Sequence, residues 1–351
     1  MTIAPARPRA LPWTGGRDHG VDLVRGIAVV CMVIAHVRVW APVETVPVRL
    51  ALLAVNNVAS PLFAVIMGIS AGIVLTRPDR RVAGAPFVRR NVVRGLLLVL
   101  VGVGLEQLDT FVAIVLQSLG VTLVVAASLV LLPLPLLTAA AAVTFAAGPA
   151  INATARAALD PARVYSEGWV DQVLQWVVLS PHYRLVSLLP FVLIGAVLAR
   201  RGLGRREALA SLVAGLVALV AVILLRFAGW GIGVSDVVSG GVPDALLDVA
   251  LTGCALGVIL LLARAPAASG VVTALAPVRA VGVLALTAYV VHVGLIALAS
   301  RALGLQGASE RWPVVAGGVL LLTVLGCWTW WRLLGRGPVE RAMAVVTDRV
   351  G

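Results

Sequence analysis

Apolar runs about as long as a bilayer is thick recur along nearly the whole chain, separated by short polar segments. Ten runs can be laid down, at roughly 21–40, 50–76, 92–106, 111–132, 134–151, 185–200, 208–230, 244–264, 280–300 and 312–334. The pattern predicts an all-α protein, a polytopic membrane bundle of about ten transmembrane helices. Residues 1–20 form an N-terminal tail, 21–334 one membrane domain and 335–351 a second tail. Glu106 and Asp109 leave only a tight turn inside 92–132, so that stretch admits another division.

Arginine sets the expected orientation. When the connecting segments are assigned alternately to two sides, 19 arginines fall on the side of both termini and 8 on the other, with Arg25 inside the first run. Arginine collects in cytoplasmic loops, which places both termini inside. The longest polar stretch, 152–184, is then an external loop. Its amphipathic part, 167–179 with Trp169 and Trp176, suits either a helix lying on the outer surface or a lid over an external cavity.

Composition narrows the classes. The 351 residues are 60% hydrophobic and 13% charged, and the mean hydropathy is +1.03. Those proportions exclude a soluble enzyme, a secreted disulfide domain and a disordered tail. The net charge of +12 comes from a chain with no lysine, its arginines lying in short loops without interleaved aromatics, so nucleic acid is not an expected partner. Cys31, Cys254 and Cys327 sit singly in apolar runs and read as small hydrophobes, with no metal expected. The first twenty residues hold Pro5, Pro8, Pro12 and three arginines but no apolar core, unlike a signal peptide. The lipid bilayer of the plasma or inner membrane is the expected environment, and a homo-oligomer is compatible with the sequence.

Ionisable and polar groups within apolar spans are expensive and so mark candidate sites. The first span opens on Arg17, Asp22 and Arg25. Asp22 and Arg25, three apart on one helix face, suit an interfacial anchor or an electropositive inner gate for a phosphorylated ligand. His36 lies about 21 Å further along the axis. It reads either as a hydrogen-bonded core histidine or as a general base. Asn57 and Ser60 precede Pro61 in the second span and suggest a cavity wall. Met67 to Gly72 is a small-residue surface suited to close helix packing. Glu106 or Asp109 is a candidate acid to orient His36, as a carboxylate orients a catalytic imidazole. Gln117 and His292 are further polar groups inside later spans, Asp248 lacks an obvious local partner, and His182-Tyr183-Arg184 opens the sixth span where a polar substrate would arrive.

The series Arg17, Val21-Asp22, Arg25-Gly26-Ile27-Ala28, Met32 and His36 resembles the opening helix of the transmembrane acyltransferase superfamily. Within it the chain is most similar to the heparan-α-glucosaminide N-acetyltransferase branch and related bacterial membrane proteins. The supporting stretches are Pro61 to Ser70, Val115 to Val121, Ala285 to Tyr289 with His292, and Gly337 to Glu340. The heparan branch carries asparagine in the place of His36, where the wider superfamily has histidine.

The resemblance implies an enzyme that moves an acyl group, acetyl foremost, from cytosolic acyl-CoA to an extracytoplasmic sugar or other cell-envelope acceptor. The CoA phosphates would sit near Arg17 and Arg25, with Asp22 beside them. A single tunnel would carry the thioester to His36 as general base. Asn57, Ser60, Gln117 and His292 would bind the acceptor or stabilise the oxyanion. The alternative from another class is a small-molecule or lipid transporter without acyl chemistry.

Overall fold

The computed structural model describes residues 18–42, 45–76, 84–160, 163, 166, 168–229, 239–265, 269–305 and 307–350. Arg17, with the expected tail before residue 18, lies outside the described residues, as does Glu167 at the start of the amphipathic run.

Every regular element among the described residues is a helix. The first, α1 (His19–Val37), begins at Asp18, whose carboxylate accepts the backbone N–H groups of Gly20 and Val21 at 2.8 and 3.2 Å. There follow α2 (Val46–Thr76), α3 (Ala85–Glu106), α4 (Leu116–Leu129) and α5 (Leu134–Ala158). A short α6 (Trp169–Leu174) continues into a π-turn over Gln175–Leu179. The remainder are α7 (Leu185–Arg200), α8 (Arg205–Phe227), α9 (Val242–Arg264), α10 (Ser269–Ala274), α11 (Ala276–Val283), α12 (Ala285–Leu303), α13 (Trp312–Leu334) and α14 (Pro338–Asp348).

Seven of these, α1, α2, α5, α8, α9, α12 and α13, are long and apolar enough to cross a membrane. The apolar α4 and α7 are shorter, and α3 carries Arg89, Arg90 and Arg94. The chain is therefore a polytopic helical membrane protein, and each expected span has a helix. The edges moved for physical reasons. Arginine stems can lie along apolar surface while their heads stay wet, so α3 starts at Ala85 rather than at the apolar run. The run from 280 to 300 is two helices, parted where Leu284 (φ −107°, ψ 36°) leaves helical geometry.

The bundle centres on α7, whose Leu193 and Ala196 are fully buried. It packs against α2, α4 and α5, while α1 packs against α2, α9 and α11. Contact between α2 and α7 requires glycine on both sides. A Cβ placed on Gly68 would overlap the Val192 carbonyl, and one on Gly195 would overlap the Val65 carbonyl. The small-residue surface seen in the sequence is thus a helix-packing face.

The break at Leu284 leaves the first N–H groups of α12 without helical partners. Glu340 of α14 supplies them. Its Oε1 accepts from the backbone N–H groups of Leu286 and Thr287 at 2.9 and 3.0 Å, and its Oε2 accepts from the Thr287 hydroxyl at 2.5 Å. A carboxylate at a helix N-terminus also meets the positive end of the helix dipole. Glu340→Ala is expected to cost about 2 kcal/mol, read as a lower midpoint in thermal unfolding of the purified protein. Glu340→Gln, which keeps acceptor oxygen, loses less.

In α6, Trp169 is 79% exposed and Val170 and Val173 are also exposed. That exposure suits a helix lying on the membrane surface. No residue of α6 is among those forming the main cavity described below.

Candidate functional site

Two polar regions sit at opposite ends of α1. At its start, Arg25 Nη1 donates to Asp22 Oδ1 at 3.2 Å and to the Gly282 carbonyl at 3.3 Å, and Nη2 donates to Ser70 Oγ at 2.8 Å. The guanidinium therefore ties α1 to α2 and α11. Arg94 of α3 stands within electrostatic range of it, while Arg90 pairs with Asp348 of α14. Arg94 makes no hydrogen bond or ion pair to a described residue, and the apolar pattern alone did not single it out.

At the other end, His36 meets His292. Their nitrogens, His36 Nδ1 and His292 Nε2, are 3.0 Å apart, and the rings stack at 5.3 Å with 12° between planes. The tautomers follow from the chain of acceptors. His292 Nδ1 lies 3.0 Å from the Ala288 carbonyl, which can only accept, so Nδ1 carries the proton and Nε2 of the neutral ring accepts. His36 Nδ1–H then donates to His292 Nε2. This leaves the Nε2 lone pair of His36 buried and without a hydrogen-bond partner among the described residues. An unpartnered basic nitrogen fixed by a second ring has the form of a general base awaiting a proton donor.

The sequence pointed to Glu106 or Asp109 as the group orienting His36. The structure gives that position to His292, which comes from the other end of the chain by helix packing. Glu106 lies at the exposed end of α3, near Gln117 and Tyr289. Asp109 is exposed in the following turn with φ 49°.

Tyr289, one turn before His292 on α12, stands edge-on to its ring at 5.0 Å between centroids. The Tyr289 hydroxyl accepts the Val115 N–H at 3.2 Å. Gln117 is wholly buried and pressed against Gly102, with the Glu106 carboxylate close enough to interact with its amide. The four proposed acceptor or oxyanion groups are therefore divided. His292 and Gln117 belong to the buried interior, whereas Asn57 and Ser60 face a cavity.

That cavity, of about 440 Å³, opens at the His36 end of the bundle. Asn56, Asn57 and Ser60 of α2 form one side, His182 to Arg184 another, and Asp244 with Asp248 of α9 a third. Arg184 is 1% exposed. Its Nη1 donates to the Ser180 carbonyl at 2.8 Å and its Nη2 to Ser239 Oγ at 2.7 Å. Burial first, and then neighbouring Arg156, draw the Arg184 pKa down to about 10, against the raising pull of Asp244 and Asp248. It stays cationic at neutral pH. Asp244 accepts the Gly240 N–H at 2.5 Å.

Asp244 and Arg184 escaped notice as a pair because nothing local joins them. The available signal was two carboxylates four residues apart inside an otherwise apolar run. The main cavity does not form the expected single tunnel between Arg25 and His36. The cavity walls include neither His36, His292 nor Arg25. Tyr183 bridges the two regions, since it forms part of the cavity wall and lies near Tyr289.

No curated protein matches the chain. A family model described as an acyltransferase domain matches residues 18–332, from the N-cap of α1 nearly to the end of α13. With the match running through every helix that builds the histidine pair and the cavity, the chain belongs to this family of membrane acyltransferases.

Proposed function

We propose that the protein transfers an acyl group, acetyl foremost, from cytosolic acyl-CoA to a hydroxyl or amine of a glycan or other envelope acceptor on the outer side of the plasma or inner membrane. The observation that carries this reading is the unpartnered Nε2 of His36, held by His292. The acceptor O–H or N–H gives its proton to that nitrogen as its heavy atom bonds to the thioester carbon. The tetrahedral adduct then expels CoA: the C–S bond breaks and the departing sulfur takes the same proton from Nε2. One acyl ester or amide and one CoA thiol result, with no net proton change. Gln117, whose buried amide lies beside Glu106, is the candidate donor to the oxyanion.

CoA phosphates would dock at the Arg25 end, where Arg94 adds positive charge. Arg17, which lies outside the described residues, belongs to the same proposal. Asp22 acts there by holding Arg25 rather than by touching phosphate. The separation of the Arg25 end from His36 is about that of an extended acyl-CoA.

Purified protein in lipid nanodiscs is expected to bind acetyl-CoA and to release free CoA thiol slowly, measured with a thiol reagent. Substrate uptake into proteoliposomes with no CoA release would replace this reading with a transporter. The orientation is tested separately. In a chain with its three cysteines replaced by alanine, Arg201→Cys in the α7–α8 turn is expected to react with an impermeant maleimide only from the cytoplasmic side. Labelling of intact cells from outside reverses the assignment.

A further inference from the structure

The cavity walls differ sharply in chemistry from one side to the other. Its polar side combines Asn56, Ser60, Arg184 and Asp248 from α2, the segment before α7, and α9. Arg184 is anchored by three serines, through Ser180 O, Ser187 Oγ and Ser239 Oγ. Asp248 is different: one turn beyond Asp244 on the same face, it makes no hydrogen bond to a described residue while lining the cavity. Acceptor oxygens of Asp248, donors of Arg184 and Asn56, and the Ser60 hydroxyl together match a ligand bearing several hydroxyl groups. Asp244 and Asp248 balance Arg184 and Arg226 in formal charge, so the cavity walls select neither strong anions nor strong cations.

The opposite side is mostly apolar, formed by Leu50 and Leu53 of α2, Val222 and Ile223 of α8, and Leu247 and Leu251 of α9, with Arg226 of α8 as its one charged member among the described residues. Helices α2 and α8 each pack on α9 but make no substantial contact with one another. Leu50 and Ile223 are 50% and 44% exposed, so the cavity reaches the outer surface of the bundle between apolar side chains. In a membrane-spanning bundle such a surface meets lipid chains. A freely soluble sugar gains nothing from an apolar mouth, whereas an alkyl chain can pass from the bilayer into it without leaving apolar surroundings.

We infer that this cavity binds a membrane-anchored glycoside, with its hydroxylated head against Asp248, Asn56, Ser60 and Arg184 and its hydrocarbon chain leaving between Leu50 and Ile223. This rests on the acyltransferase reading and names the class of acceptor: one presented from the bilayer rather than from solution.

The test uses radiolabelled octyl β-D-glucoside, below its micelle-forming concentration, with protein in nanodiscs and empty nanodiscs subtracted. Saturable binding is expected, with methyl β-D-glucoside and octanol each at least about ten-fold weaker because each lacks half of the ligand. Asp248→Leu, which removes the head-group acceptor, and Ile223→Trp, which fills the mouth, should each weaken octyl glucoside about ten-fold. The Ile223 position is exposed, so that variant keeps the test open if the Asp248 variant misfolds. Equal affinity for methyl glucoside overturns the lipid-anchored class. Undiminished octyl glucoside binding in both folded variants overturns the site. Acetyl-CoA binding is measured on the same samples: its presence without glycoside binding defeats only the cavity assignment, and glycoside binding without it defeats the acyltransferase reading instead.

Discussion

Replacing His36 by alanine is expected to lower acetyl-CoA turnover by about 10²–10⁴-fold, the usual contribution of a positioned general base. Acetyl-CoA binding and a monodisperse elution profile should survive, because the imidazole's only hydrogen-bonded contact among the described residues is one nitrogen of His292. His292→Ala is expected to be damaging for a different reason. It removes the acceptor that keeps the proton on His36 Nδ1, freeing that ring to adopt the tautomer with Nε2 protonated and useless as a base. The two rings act as a unit, so the double variant should be no slower than His36→Ala alone. Turnover unaltered in His36→Ala would remove this residue from the mechanism. Losses that add independently in the double variant would show that the pairing has no mechanistic role.

Gly68→Leu is expected to yield no folded protein. The overlap lies with backbone, the Val192 carbonyl, so no rotamer change can relieve it, and α2 and α7 would have to separate. Those helices bury Leu62, Ile69, Leu193 and Ala196 completely. Disruption of such a core falls in the range above about 4 kcal/mol that single substitutions seldom reach. Size-exclusion chromatography of the solubilised variant reads the result as aggregate or absence. Gly317→Ala on α13 is the control: a Cβ there meets nothing within 4 Å. That variant should match or exceed the parent's stability, since alanine favours a helix over glycine by about 1 kcal/mol. A monodisperse, thermally unaltered Gly68→Leu protein would mean the two helices do not cross this closely.

The helices were legible because hydrophobic thickness is a strong, one-dimensional signal. All ten apolar runs correspond to helices, and the glycines around Met67 sit where small residues suggested close packing. The break at Leu284 was invisible because the residues on either side are equally apolar; what permits it is a carboxylate 56 positions later. The site was legible only in part. His36, Asn57, Ser60, Gln117 and His292 stood out as polar groups in apolar surroundings. Which of them meet depends on packing between helices distant in the chain, so a nearby acid looked a better partner for His36 than a second imidazole from α12. Asp248 was noticed for lacking a local partner; Arg184, in the same cavity, is held by serines from two separate segments.

The clasp of Glu340 on α12 has a consequence for biogenesis. Helices enter the bilayer in the order of synthesis, so His36 is inserted long before the ring that must hold it. Even after His292 arrives, the helix bearing it begins at an open break until α14 has been made and folded back. The machinery is therefore assembled last, and a nascent chain stalled before Glu340 would carry its full set of membrane crossings with an unfinished base.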